Sequence, residues 1–296
     1  FLPLLRYVVD NPEAFSYRAL SRMGSVETPL PGSPGKILLS NLWNGMRMLN
    51  WDDGEIWVNS VPHRPALDVV TGALFIAGAV LLLLRYLRSR DWRDLFLLVS
   101  IPILMLPSTL SLAYPAENPA LNRASGAAIP VILIAALALD GLVVAFGSGG
   151  RRTFIAWGLA GVLLAMSAWQ NYDLVFNQFN KQFRSGAWNT SEMGQVISDF
   201  RATYGETDTV WIVPYPYWVD TRLPGIWAGI PNRDFALFKE ELPNSVNFPF
   251  PKMFIYWPED TEAENILKQL YPQGTIRRYP SAVDPSKDFM IFFVEK

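Results

Sequence analysis

The chain has 296 residues, half of them apolar, with 25 basic and 27 acidic side chains, one histidine and no cysteine. A net charge of −2 without a basic tract excludes a nucleic-acid surface, so no nucleic-acid partner is expected. The missing thiols exclude a disulfide scaffold, a thiolate metal site and a cysteine nucleophile. Charge divides unevenly along the chain. Residues 1–170 carry 11 acids, 13 bases and several long apolar runs, whereas residues 171–296 carry 16 acids and 12 bases. That asymmetry predicts a membrane part followed by a soluble part.

The chain opens on FLPLLRYVV, which reads as the tail of an apolar segment and lacks the charged start and cleavage site of a signal peptide. It therefore reads as a fragment whose N-terminal portion is missing. Residues 10–64 are rich in Gly, Pro, Ser and Trp, and residues 1–64 are expected to form an extracytoplasmic loop region. Within it, residues 41–49 place Leu42, Trp43, Met46 and Leu49 near one helical face. Such a face suits a short helix lying in the membrane interface with Arg47 turned to headgroups, or equally a packing helix of a large loop.

Trp51-Asp52-Asp53-Gly54-Glu55 sets three acids close together, a pattern that could hold a divalent cation through oxygen ligands. An acidic turn facing water has the same sequence and is the favoured reading, so a divalent metal is the one cofactor left open, with Asp52, Asp53 and Glu55 as its candidates. His63 stands alone, and no G-x-S-x-G occurs, so triad hydrolysis has no support.

Four stretches are long and apolar enough to cross a bilayer as helices: 66–87, 95–113 with Pro102 and Pro107 inside it, 124–146 with Asp140, and 153–169. Together they define a multi-pass domain over 65–170. The links between the first and second spans, with Arg85, Arg88, Arg90 and Arg93, and between the third and fourth, with Arg151 and Arg152, are the basic ones. The positive-inside rule makes them cytoplasmic. Residues 1–64, the loop 114–126 and everything after Trp169 then lie outside. Asp140, near the cytoplasmic end of its span, is read as reaching the interface rather than as a buried functional acid.

The loop 114–130 is the most informative stretch. It holds Arg123 beside Asn118, Asn122 and Ser125, next to the free N–H groups of a helix start. Guanidinium binds phosphate bidentately and a helix start favours anions, so a lipid-linked phosphate fits there. Contact of Arg123 with lipid headgroups is the equal alternative.

Residues 171–296 read as an α/β domain. Helices are expected at 191–204 and 261–270, and strands at 209–213, 253–257, 275–279 and 289–294, the last two as antiparallel neighbours. The alternation predicts a small three-layer sheet without a dinucleotide fingerprint. Tyr215, Tyr217, Trp218, Asp220 and Arg222 could meet a sugar or an acceptor through aromatic faces and hydrogen-bonding edges, although such residues more often serve as core.

Several of these segments together, Asn41-Leu42-Trp43-Asn44, Trp51-Asp52-Asp53-Gly54, Pro65-Ala66-Leu67-Asp68-Val69-Val70-Thr71-Gly72, Glu117-Asn118-Pro119 and Arg123-Ala124-Ser125-Gly126-Ala127, resemble the C-terminal half of bacterial family 39 type membrane glycosyltransferases. These are GT-C superfamily enzymes, akin to protein O-mannosyltransferases and the aminoarabinose transferase of lipid A. The resemblance implies an α-helical multi-pass membrane domain followed by an extracytoplasmic α/β domain. It implies transfer of a sugar, with inversion, from a polyprenyl-phosphate donor to an extracytoplasmic protein, glycan or lipid acceptor. A carboxylate would serve as general base and cations would stabilise the departing phosphate. The family's catalytic acids lie in a first external loop that this chain does not include, and Asp52 and Asp53 do not match that place. Arg123, with Asn118 and Asn122 in support, is the expected phosphate-binding group. The alternative reading is a non-enzymatic four-span anchor presenting a ligand- or sugar-binding domain, with a transporter third.

Overall fold

Long runs of Leu, Val, Ile and Ala, the first two opened by the side-chain caps Asp68 and Asp91, set the architecture of the first half. The computed structural model describes residues 2–24, 26–147 and 149–296, and the chain is mostly helical, 61%. It divides into two units, one up to Phe183 and one from Arg184–Lys296.

In the first unit, α1 (Leu2–Asp10), α2 (Pro12–Met23) and α3 (Pro34–Met48) occupy the region expected to be mainly loop. Pro12 and Pro34 each sit in a first helical turn, where a missing N–H costs nothing. On α3 the buried face is Asn41, Gly45 and Met48, while Trp43 is 66% exposed and Arg47 pairs with Asp52 at 3.6 Å. Of the expected face of Leu42, Trp43, Met46 and Leu49, Leu49 is buried and Met46 packs against the core while Trp43 is exposed; the small Gly45 lets α3 approach Met105 and Thr109 closely.

Four helices follow that are long and apolar enough to span a membrane. The first, α4 (Val69–Ser89), is capped by Asp68, whose carboxylate accepts from the amides of Val70 and Thr71 at 3.0 and 3.1 Å. The second comprises α5 (Trp92–Leu104) and α6 (Leu106–Thr109), which meet at Met105; Pro107 opens α6. The third comprises α7 (Leu121–Ala124) and α8 (Ala128–Phe146), joined by a single 3-10 turn. The fourth runs for 36 residues, through α9 (Arg151–Tyr172), a π-helical stretch at Asp173–Phe179 and α10 (Asn180–Gly186).

That fourth helix runs on past residue 169, where the span was expected to end. No Gly or Pro interrupts residues 170–185. Asp173 also accepts from Asn177 at 2.8 Å and Gln178 at 2.7 Å, bonds that favour a wider helical register over a stop. The unit boundary falls between Phe183 and Arg184, within α10.

The second unit is built on four strands, after α11 (Thr190–Tyr204): β1 (Val210–Ile212), β2 (Lys252–Tyr256), β3 (Thr275–Tyr279) and β4 (Phe289–Val294). Their order is β1-β2-β4-β3, with β1 and β2 parallel and the other two pairings antiparallel. Two short elements complete it, α12 (Leu223–Trp227) and α13 (Thr261–Leu270). Alternation along β2 splits the core. Met253 and Ile255 pack with Met193 and Ile197 of α11, while Phe254 and Tyr256 pack with Ala263 and Leu267 of α13. The α13 helix starts where expected, with Asp260 accepting from the Ala263 amide at 3.2 Å.

Candidate functional site

The turn between the second and third long helices is held by amides and hydroxyls rather than by apolar packing. Asn41, fully buried on α3, donates to the carbonyls of Thr109 (3.0 Å) and Ser111 (3.4 Å). Asn118 donates to the Ser108 carbonyl (3.2 Å) and hydroxyl (3.1 Å), and the Ser108 hydroxyl also accepts from the Ala120 amide (3.1 Å). Asn118, expected to help bind a phosphate, is thus engaged in shaping the loop. Its Oδ1 is buried without a hydrogen-bond partner among the described residues.

Arg123 stands on α7 facing this loop. Its Nη1 donates to the Ser111 hydroxyl at 3.1 Å, and its Nη2 donates to the Glu117 carboxylate at 2.7 Å and to the Glu117 carbonyl at 3.4 Å. A second guanidinium, Arg22 at the end of α2, donates to the same Glu117 oxygen and stacks 4.6 Å from the centre of the Tyr114 ring. The Ala113 amide donates to the Arg22 carbonyl at 2.9 Å, and the Tyr114 hydroxyl donates to Glu27 at 2.8 Å, so the end of α2 and the 111–117 turn are fastened together. Burial pushes the Glu117 carboxyl up, but the hydrogen bonds and charges of Arg22 and Arg123 outweigh it, and the group is held below the ordinary carboxylate range.

These groups wall a cavity of about 870 Å³. Arg22, Glu117, Asn122 and Arg123 form its polar side, with Ser111 and Asn59, and Met23, Ile56, Val58, Pro107 and Leu110 form its apolar side. Two cations share one anion there, which leaves one net positive charge facing a half-apolar chamber. The expected Arg123 and Asn122 are both on its wall; Arg22 was not foreseen. Arg22 lies 95 positions from Glu117, in a stretch with no sequence pattern to mark it.

The other expected residues separate. Asp52 accepts from the Gly54 amide at 3.0 Å and lies 3.4 Å from the ring of His63, while buried Asp53 accepts from the Arg64 amide at 3.3 Å. Glu55 is exposed, and among the described residues no three Asp, Glu or His groups converge as metal ligands. In the second unit Tyr215, Tyr217 and Trp218 line one cleft of about 400 Å³. Asp220 and Arg222 do not line it; they pair with each other at 2.6 Å. Trp188, Trp257 and Glu259 line it instead, unforeseen.

Comparison with known proteins adds no relative: no family model, curated protein or solved structure matches this chain.

Proposed function

We propose that the chain belongs to a membrane glycosyltransferase that takes a sugar from a polyprenyl-phosphate carrier, and that the cavity at Arg22, Glu117 and Arg123 receives the carrier's phosphate. One observation carries this reading: two guanidiniums converge on a single carboxylate at the wall of a half-apolar chamber. A polyprenyl phosphate has that same division, an anionic head on a hydrocarbon tail. Arginine suits the head because its planar fork can offer two parallel N–H donors to phosphate oxygens.

In this role Arg22 and Arg123 stabilise the negative charge that grows on the phosphate as its bond to the anomeric carbon breaks. Glu117 fixes both guanidiniums before the donor arrives, so little reorganisation accompanies the reaction. The acceptor hydroxyl needs a general base, which no residue of this cavity is asked to supply. The arginine-rich links at 85–93 and 151–152 support a cytoplasmic placement for those ends, and hence an extracytoplasmic one for the 110–120 turn and for a three-layer α/β domain after the fourth span.

Charged hydrogen bonds contribute about 1.5–3 kcal/mol each, so Arg22→Ala or Arg123→Ala should weaken binding of a polyprenyl phosphate by about ten- to hundredfold. Binding is read by native mass spectrometry on the chain in nanodiscs, with the uncharged polyprenol as control. Equal binding of phosphate and alcohol, or undiminished binding by both variants, overturns the proposal. A second reading, an anchor presenting a binding domain, is favoured by the cleft in the second unit. It requires nothing of Arg22 or Arg123, so the same variants separate the two.

A further inference from the structure

The second unit has a cleft that its hydrophobic cores do not explain. Parallel strands β1 and β2 lie side by side, and both run off their C-terminal ends into it. After β1 comes Val213-Pro214-Tyr215, and after β2 comes Trp257-Pro258-Glu259. The carboxyl edge of parallel strands is where open sheets place ligands, because the chain leaves the sheet there and its loops diverge. Trp188 and Asn189, just before α11, close another side.

The lining is aromatic without being sealed. The Tyr215 and Trp257 rings stack at 6.2 Å with 24° between planes, and Trp218 meets Trp257 edge-on at 5.8 Å. Trp188 is 50% exposed and Tyr217 fully exposed. Tyr217 also holds φ at +58°, a left-handed conformation unfavourable for a bulky side chain. A ring is thus presented outward by a strained backbone rather than folded into the core.

The polar edges of this lining are free. Among the described residues no hydrogen bond engages the indole N–H of Trp188, Trp218 or Trp257, the hydroxyls of Tyr215 and Tyr217, or the carboxylate of Glu259. Among the described lining residues the one cation is Lys287, and it is occupied: its ammonium donates to the carbonyls of Arg184 and Ala187. Formal charge in the cleft therefore sums to zero, unlike the positive chamber of the first unit.

We infer that this cleft binds a neutral saccharide of one or two pyranose rings. Aromatic faces pack against the axial C–H side of a pyranose, and free N–H, O–H and carboxylate groups at the rim hydrogen-bond its hydroxyls. A volume of about 400 Å³ matches a ligand of that size and lies in the usual range for small-molecule sites. Charge neutrality selects against a phosphate or an acidic sugar. The inference stands apart from the phosphate cavity, since it uses no residue of the first unit.

Saturation-transfer NMR on the whole chain tests it. The protein is held in nanodiscs, because alkyl glycoside detergents would themselves occupy the site. The probes are methyl glycosides of glucose, mannose, galactose and N-acetylglucosamine, with their disaccharides. The expected result is saturable transfer concentrated on one ring face of at least one probe. Glu259→Gln and Tyr217→Gly, both at exposed positions, should each weaken it by about tenfold without changing the circular dichroism. Arg123→Ala should leave it unchanged even where it weakens phosphate binding, so failure of one site is distinguishable from failure of the other. No saturable transfer from any probe, or transfer that survives both cleft variants, overturns the inference.

Discussion

The two units dispose of their apolar side chains in opposite ways. In Arg184–Lys296 the largest core side chains are sealed: Phe254, Tyr256, Phe289 and Phe292 are each 0% exposed, although others such as Trp227 and Phe238 stay on the surface. In the first unit only 28% of the apolar window in each of the first three long helices is buried, and 11% in the fourth. What is buried there is often small, as at Gly78, Ala135, Ala138, Ala156 and Ala160. A bilayer around the four long helices, as proposed above, accounts for the contrast. In water, burying area is itself favourable, so large residues go inside. Lipid tails are as apolar as leucine, so helices associate through close backbone approach instead, which small residues permit.

The largest effect that tests this contrast comes from the sealed core. Phe292 packs between Phe254 and the backbone of Gly274, where a Cβ would fall 2.0 Å from its ring. Phe292→Ala should lower stability by about 3–5 kcal/mol, measured by denaturant unfolding of the chain in nanodiscs. Phe154→Ala, at a position 81% exposed, should change it by less than about 0.5 kcal/mol. Similar losses for both would break the comparison. The next effect lies in the helices. A Cβ on Gly78 would sit 2.4 Å from the Ile134 carbonyl oxygen, so α4 and α8 touch there through backbone. Gly78→Leu should cost about 1–3 kcal/mol or more, read as lost thermal resistance in detergent. Ile76→Leu, 44% exposed on the same helix, should be silent.

Where local chemistry decides, the sequence was legible. Strand positions in the second unit were foreseen within a residue or two, since short β-rich runs between prolines and glycines admit few other readings. The first three long helices were equally plain from apolar run length. Legibility fails where partners are distant. Asp94, left between the basic link and a span expected to begin at residue 95, is fully buried because Arg85 reaches across the turn to form a two-pronged pair with it. Lys252 is fully buried on β2 and forms no ion pair among the described residues. Its ammonium is satisfied by the Ser245 carbonyl at 2.8 Å and the Tyr271 hydroxyl at 3.1 Å, and it faces the ring of Phe250. The candidate site was half visible. Arg123 advertised itself beside a helix start, whereas Arg22 joins it only through the fold, and Trp257 enters the saccharide cleft only because β2 lies parallel to β1.

The smallest expected effect sharpens the comparison by separating the units through pH. Glu117 is the one carboxylate that both cavity arginines lean on, and they hold its pKa below the ordinary range. A carboxyl depressed in the folded state stabilises the fold above its unfolded value, and that contribution is lost as pH falls through the folded value. With 39% of its side chain exposed, Glu117 is partly screened by solvent, so the contribution is modest. Glu117→Gln should therefore lower the Tm of the first unit slightly near neutral pH. The gap to wild type should close as pH drops below the carboxylate range, when Glu117 itself is protonated. Carboxyls such as Asp288, held low by the Ser281 amide and by Arg278, give the second unit its own acid sensitivity, which the variant should leave untouched. Scanning calorimetry at stepped pH reads both transitions. A gap that stays constant to low pH would assign Glu117 a packing role, and no gap at neutral pH would mean that Arg22 and Arg123 hold their places without it.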